Sequence, residues 1–250
     1  MPRTARKKSQ TGVYHVTLRG INRQQIFIDG EDANRFLQAV ADSQKISEFT
    51  VYAYCLMGNH VHLVLKEGKE PLELIIKRIG VRFVYWYNWK HKRSGHLFQD
   101  RYGSEPVEDN AYLIAVVRYV HRNPVKAGIC EQCEDYPYSS VHEYIGREKK
   151  PFMSTEEVKA LLEGADLREF FNTASDIECL EVKDTGRKTD EEAKEMMKRI
   201  CKSDQARAFQ KLPIEKQAKA IESMREELSI RQIARITGVS TEIVRKYKGR

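Results

Sequence analysis

Met57-Gly58-Asn59-His60-Val61-His62-Leu63-Val64-Leu65 lies between two apolar runs, residues 49–56 and 63–65, and reads as strand, short turn, strand. Side chains on a strand alternate faces, so His60 and His62 project from one face while Val61 turns into the core behind them. Two imidazoles side by side on a rigid strand supply half of a divalent-metal site. The plain alternative is a pair of unrelated surface histidines. With seven His in 250 residues, two at strand spacing inside an apolar segment favour the metal site.

Working outward, residues 14–19 alternate and are rich in β-formers, which predicts a first strand. The loop at 20–23 follows, with Arg19 and Arg23 as candidate phosphate contacts. His15 reads first as a core histidine; it becomes a neighbour of the site only if the first strand lies beside His60 and His62. Residues 31–47 carry Phe36, Leu37, Val40 and Ile46 at near-helical spacing. Residues 71–89 predict a second helix with Pro71 in its first turn. A strand is expected from His96 to Val107, with Pro106 marking a sheet edge or the strand's end. Asp109 or Asn110 then caps a helix to about residue 122. The order β-α-β-β-α-β-α predicts an antiparallel sheet backed by helices, an α+β sandwich.

The charge balance narrows the partner. Forty-three Lys and Arg against 36 acids leave a net charge of +7 and an isoelectric point near 9.0, which points to a polyanion. Between residues 71 and 102 seven cations face two acids, interleaved with Tyr85, Trp86, Tyr87, Trp89 and Phe98. Most of these aromatics suit the core, and one or two could stack on unpaired bases, with Arg78, Arg82 and Arg101 following the backbone. No apolar run approaches the ~18 residues of a membrane span, and the basic start has no apolar leader. Five Cys, an odd number without a framework, fit a reducing, cytoplasmic setting. The lone Cys130-Glu131-Gln132-Cys133 has no second pair to complete a zinc site.

The second chemistry-bearing stretch is residues 111–124, closing on Tyr119-Val120-His121-Arg122-Asn123-Pro124. Tyr119 and Asn123 are four apart and share a helix face, and Pro124 predicts that the helix ends or loosens at Asn123. If that face lies against the His strand, Asn123 gives a third, oxygen ligand and Tyr119 a nucleophilic oxygen. Otherwise the pair is a buried tyrosine and a C-terminal cap. Spacing leaves both open.

His60-Val61-His62, followed by Tyr119 and the run Asn123-Pro124-Val125-Lys126-Ala127-Gly128, resembles the single-tyrosine transposases of the HUH (His-hydrophobe-His) endonuclease superfamily. That run and Tyr136-Pro137-Tyr138-Ser139-Ser140 most resemble the REP-associated tyrosine transposases, over about residues 14–144. The resemblance implies a ferredoxin-like (RRM-like) sheet and a divalent metal, Mg²⁺ or Mn²⁺. It also implies cleavage and joining of single-stranded or hairpin DNA through a covalent 5′-phosphotyrosine. His60 and His62 match the metal pair and Tyr119 the nucleophile. Asn123 stands where related enzymes place a longer polar ligand, often glutamine.

From about residue 146 the composition shifts. Residues 154–200 hold thirteen acids and eight cations, with helical patterning at 155–163 and 191–200, and read as a solvated face. Residues 184–188 read as a linker. Residues 205–250 turn basic again, eleven cations against five acids. Residues 228–247 have the pattern of a helix-turn-helix. Ser229 and Ser240 cap its two helices, Ala234 is small at the crossing, Gly238 permits the turn and Val239 plugs the core. Its candidate DNA contacts are Arg231, Thr241, Arg245 and Lys246; the plain alternative is an ordinary helical hairpin.

The expected organisation is a basic arm (1–12), a HUH nuclease domain (13–146), a helical connecting region (147–204) and a duplex-binding helix-turn-helix domain (205–250). A homodimer is left open. Two rival readings remain: a non-catalytic DNA-binding regulator, and a metal-dependent nuclease that uses activated water.

Overall fold

The computed structural model describes residues 6–99, 101–174, 179–180, 188 and 190–247. The first five residues of the expected basic arm, and residues 184–187 of the expected linker, lie outside them. The chain groups into two units, one of residues 1–21 and 25–182, the other of residues 22–24 and 183–250. The expected connecting region is therefore shared between them.

In the first unit β1 (Val13–Arg19), α1 (Gly30–Ser47), β2 (Thr50–Met57), β3 (His60–Lys66), α2 (Leu72–Lys90), β4 (Gly103–Val107) and α3 (Asn110–Lys126) follow in chain order. The strands form one sheet in the order β2-β3-β1-β4, antiparallel throughout. Strand alternation decides which layer each residue joins. Tyr14, Val16 and Leu18 of β1 pack with Val61, Leu63 and Leu65 of β3 against α1 and α2, through Phe36, Ile75, Ile79 and Phe83. Val13, Val64, Ala53, Cys55 and Met57 face the other way, onto Leu113, Val116, Val117 and Val120 of α3. Each fully buried Val, Leu, Ile, Phe or Met among them contributes about 1.5–3 kcal/mol. His15, Thr17, Arg19, His60 and His62 fall on the α3 side by the same period of two.

Two expected boundaries are corrected. The strand expected from His96 begins only at Gly103. Residues before it pair only past the end of β1, at an isolated bridge, Gly20 to Phe98; with Thr17 opposite Gly103, the register slips by two residues between the two pairings, which ends the continuous ladder. Helix α3 does not stop near residue 122 but continues through Pro124 to Lys126. Pro124 has no N–H to give Val120, and the Asn123 side chain substitutes: its Nδ2 donates to the Tyr119 carbonyl at 2.9 Å and the Val120 carbonyl at 3.4 Å.

The edge of β2 is covered by the Tyr136–Ser140 segment. Leu56 N–H donates to the Tyr138 carbonyl and Ser140 N–H to the Tyr54 carbonyl, and Tyr136 Oη donates to the Leu56 carbonyl at 2.7 Å. A pairing edge is thereby closed to other chains. Buried Ser140 Oγ also lies 2.7 Å from His121 Nε2, tying α3 to that edge. Helices α4 (Val141–Tyr144), α5 (Glu156–Leu161) and α6 (Leu167–Asn172) complete the layer. The acidic stretch is thus more than a solvated face, since Val158, Leu162 and Phe171 enter the α3 core.

The second unit contains α7 (Asp190–Cys201), α8 (Ala206–Gln210), α9 (Ile214–Arg225), α10 (Ile230–Thr237) and α11 (Thr241–Lys246), around Met197, Phe209, Ile221, Met224, Ile233 and Val244. Ser229 Oγ accepts from Gln232 N–H, Ser240 Oγ accepts from Ile243 N–H, and Gly238 turns between the helices at φ 69°. No helix among the described residues is long and apolar enough to cross a membrane.

Candidate active site

Strand β3 presents His60 and His62 two residues apart, and α3 lies across the same face. Register places His62 opposite Thr17 and His60 opposite Arg19. Along α3, Tyr119, Asn123 and Lys126 recur at four and three residues and so share one side of the helix. Strand and helix together line one cleft of about 210 Å³, walled by Met57, His60, His62, Tyr119, Asn123, Lys126 and Ala127. The four residues expected to carry the chemistry meet there.

The hydrogen bonds decide which atoms remain for a ligand. His60 Nδ1 lies 2.7 Å from Asn59 Oδ1, a carbonyl that can only accept, so Nδ1 carries the proton and Nε2 holds the lone pair. Buried His62 engages His15 Nε2 through Nδ1 at 2.9 Å, while its buried Nε2 has no hydrogen-bond partner. Asn123 commits Nδ2 to backbone carbonyls, which leaves Oδ1 as the amide atom for a cation. Burial, with the Arg19 charge, holds His60 down to about 4, and burial pulls His62 well below the ordinary histidine value. Both rings are therefore neutral at pH 7, the form that ligates metals.

Tyr119 is half-buried, edge-on to His62 and His15. The Lys126 Nζ lies 5.7 Å from its ring centroid. His15 is fully buried on β1 and hydrogen-bonded to His62, so the preferred reading of it as only a core histidine is corrected. Its alternative reading as a neighbour of the site holds, because β1 lies beside β3; Lys126 is the site residue that sequence reasoning missed. Lys126, seven residues beyond Tyr119 and on its face, was open to that reading.

Other expected contacts stand elsewhere. Arg78 and Arg82 are on α2, which packs on the opposite face of the sheet. Arg78 is ion-paired with Glu70 at 2.6 Å, and Arg82 is exposed. Arg101 lines a separate 380 Å³ cavity with Arg6, Lys7, Lys8 and Tyr102, and Arg6 stacks on Tyr102 at 3.6 Å. Arg23 groups with the second unit. There Arg231, Arg245 and Lys246 are exposed and Thr241 is half-buried. Cys133 is buried, its thiol donating to the Phe171 carbonyl at 3.1 Å, and burial pushes that thiol up to about 12. Among the described residues no group of three or more His, Cys, Asp and Glu is arranged to hold a metal; the cleft offers two His and an amide.

Comparison with known proteins bears on the same part of the chain. Residues 8–123 match the family described as "Transposase IS200 like". A Haemophilus influenzae protein provisionally described as a REP-associated tyrosine transposase is 24% identical over 151 residues, 56% of this chain and 85% of the relative. The REP-associated tyrosine transposase of Escherichia coli K12 is 23% identical over 111 residues, 44% of this chain and 64% of the relative. Among solved structures, a REP-associated tyrosine transposase bound to a REP hairpin superposes with a TM-score of 0.52 at 20% identity, covering 63% of this chain and 93% of that one. The resemblance read from the motifs is borne out, and the relatives it names are DNA-processing enzymes.

Proposed function

We propose that this chain is a DNA transposase that nicks and joins single-stranded DNA through a covalent 5′-phosphotyrosine on Tyr119. The observation that carries the reading is the single cleft in which His60, His62, Tyr119 and Asn123 meet. The likeness of residues 8–123 to IS200-like transposases supports the class of reaction. The strand order β2-β3-β1-β4 within a βαββαβ run supports a ferredoxin-like reading of the sheet.

The donor set fits a divalent cation. Two neutral imidazoles with Nε2 uncommitted, one of them buried without a partner, and an amide oxygen suit Mg²⁺ or, better for nitrogen ligands, Mn²⁺. When bound, the cation polarises a phosphoryl oxygen. The protein does the rest. Arg19 and Lys126 bring positive charge to the edges of the cleft, where the phosphodiester would lie. The Tyr119 hydroxyl gives up its proton to solvent as Oη bonds to phosphorus. The P–O3′ bond breaks with its electron pair on the 3′ oxygen, which takes a proton from solvent and leaves as a 3′-hydroxyl. Because the tyrosyl ester keeps the energy of the broken bond, attack by a 3′-hydroxyl reverses the step without ATP.

The second unit extends this reading. Its capped α10–α11 pair, joined at Gly238, is taken as a helix-turn-helix with α11 as recognition helix, and Arg231, Thr241, Arg245 and Lys246 as duplex contacts. The hairpin bound by the structural relative makes a hairpin the first substrate to try.

The test is covalent trapping of labelled single-stranded oligonucleotides with Mg²⁺ or Mn²⁺ on denaturing gels. A metal-dependent shifted band is expected for the unmodified chain and for neither Tyr119→Phe nor His60→Ala. Cleavage without an adduct, surviving Tyr119→Phe, would replace the reading with an activated-water nuclease. Duplex binding with no cleavage would leave a regulator.

A further inference from the structure

We infer that His15, backed by Glu105, is a positioning residue that holds His62 in the one tautomer able to offer Nε2 to a cation. This rests on the metal reading of the cleft. His15 sits on β1, one strand away from β3 and fully buried. Its Nε2 is 2.9 Å from His62 Nδ1, and the two rings lie 5.2 Å apart and 21° from parallel.

A hydrogen bond between two ring nitrogens holds one proton, and its position decides what His62 can do. With the proton on His62 Nδ1, Nε2 keeps its lone pair. His15 Nε2 then accepts, so the neutral His15 ring carries its own proton on Nδ1. That atom stands 3.9 Å from Glu105 Oε2. The distance is too long for a formed hydrogen bond, so the carboxylate acts through its charge, which favours an N–H over a lone pair on the side facing it. With the proton on His15 Nε2 instead, a lone pair would face the carboxylate. Either arrangement leaves one buried N–H without a formed hydrogen bond, at His15 Nδ1 or at His62 Nε2, so the Glu105 charge beside His15 Nδ1 decides between them.

Glu105 is itself anchored. It lies opposite His15 in the β1–β4 register, and its Oε2 accepts from Leu180 N–H at 2.8 Å. The relay thus runs across three strands, β4 to β1 to β3, and ends at the cleft. Partners of this kind orient metal-bound histidines, and their loss costs about 10–100-fold in metal affinity.

Two measurements on the full chain without DNA test it. Ring ¹⁵N shifts of the metal-free protein should show both His62 and His15 protonated at Nδ1; a His62 protonated at Nε2 overturns the inference. Mn²⁺ titration followed by electron paramagnetic resonance should then show weakening by about 10–100-fold in His15→Phe. His15→Gln, whose side-chain carbonyl can accept from His62 Nδ1, should recover most of it, and Glu105→Gln should lose less than His15→Phe. Unchanged affinity in His15→Phe, while His60→Ala abolishes binding, overturns the relay and spares the metal site. Unchanged affinity in His60→Ala overturns the metal reading instead. If His15→Phe does not fold, the ¹⁵N measurement on the unmodified chain still decides.

Discussion

The ring of Tyr119 stands 5.8 Å from that of His62 and 5.8 Å from that of His15, edge-on to each. Rings on two adjacent strands therefore define where the phenol lies, and these contacts belong to the ring rather than to its hydroxyl. Tyr119→Phe should keep them, so any loss of stability should not exceed the ~0.5–1.5 kcal/mol of a single hydrogen bond. The covalent adduct should vanish. Denaturant melts and trapping gels on the same preparation check both, and an adduct that persists would place the nucleophile on another residue.

Asn123 serves the helix and the cleft with different atoms, so two substitutions should separate the roles. Asn123→Ala removes the donor that serves the Tyr119 and Val120 carbonyls and removes Oδ1 as well. It should cost about 1 kcal/mol of stability and weaken Mn²⁺ binding. Asn123→Asp loses the same donor but keeps an oxygen and adds charge, so stability should fall while Mn²⁺ binding holds or tightens. Parallel loss of metal in both variants would remove Asn123 from the ligand set.

The local half of this site was legible because local rules fix it. Alternation put His60 and His62 on one face, and helical spacing put Tyr119 over Asn123. Which face of α3 meets β3 depends on contacts far apart in the chain, such as Ser140 reaching both His121 and Tyr54. No window of sequence contains that information. His15 was misjudged for the same reason: β1 and β3 are separated by a helix and a strand, and their adjacency becomes visible only once the sheet is assembled. The Pro124 boundary failed differently, because a local rule was overridden by a local compensation from the Asn123 side chain. The early start expected for β4 failed where the register slips by two residues between the Thr17–Gly103 pair and the Gly20–Phe98 bridge, a break that no local pattern announces.

Asp32 gives the fold a defined acid limit. Its side chain is fully buried, which by itself would raise its pKa. Contacts to His91, Ile28 N–H, Lys90 and Asp29 N–H outweigh that and hold the carboxyl below the usual carboxylate value. A group lowered on folding stabilises fully above its unfolded value and loses that contribution as pH falls through the folded one. Asp32→Asn should therefore cost about 2 kcal/mol at pH 7, and the gap to the unmodified chain should narrow steadily below pH ~4. Urea midpoints at pH 7, 4 and 3 measure it, and a gap independent of pH would mean that the loss is packing rather than charge.

Gly238 tests whether the second unit matters to DNA. Its φ of 69° lies in the left-handed region, where a Cβ costs about 1–2 kcal/mol. An added Cβ would also collide with Gln210 Nε2, the atom that donates to the Gly238 carbonyl at 2.8 Å. Gly238→Ala should thus destabilise the α10–α11 turn by about 2 kcal/mol, strain and lost bond together. In a Gln210→Ala background only the backbone strain should remain, so the same substitution should cost less. If α10 and α11 form a helix-turn-helix, Gly238→Ala should weaken duplex binding in a gel-shift titration. Trapping of short single-stranded oligonucleotides, which the proposed mechanism assigns to the cleft between β3 and α3, should be unaffected. Arg245→Ala leaves the turn intact and should lower duplex affinity with a salt slope reduced by about one. Duplex binding indifferent to both substitutions would return the second unit to an ordinary helical hairpin.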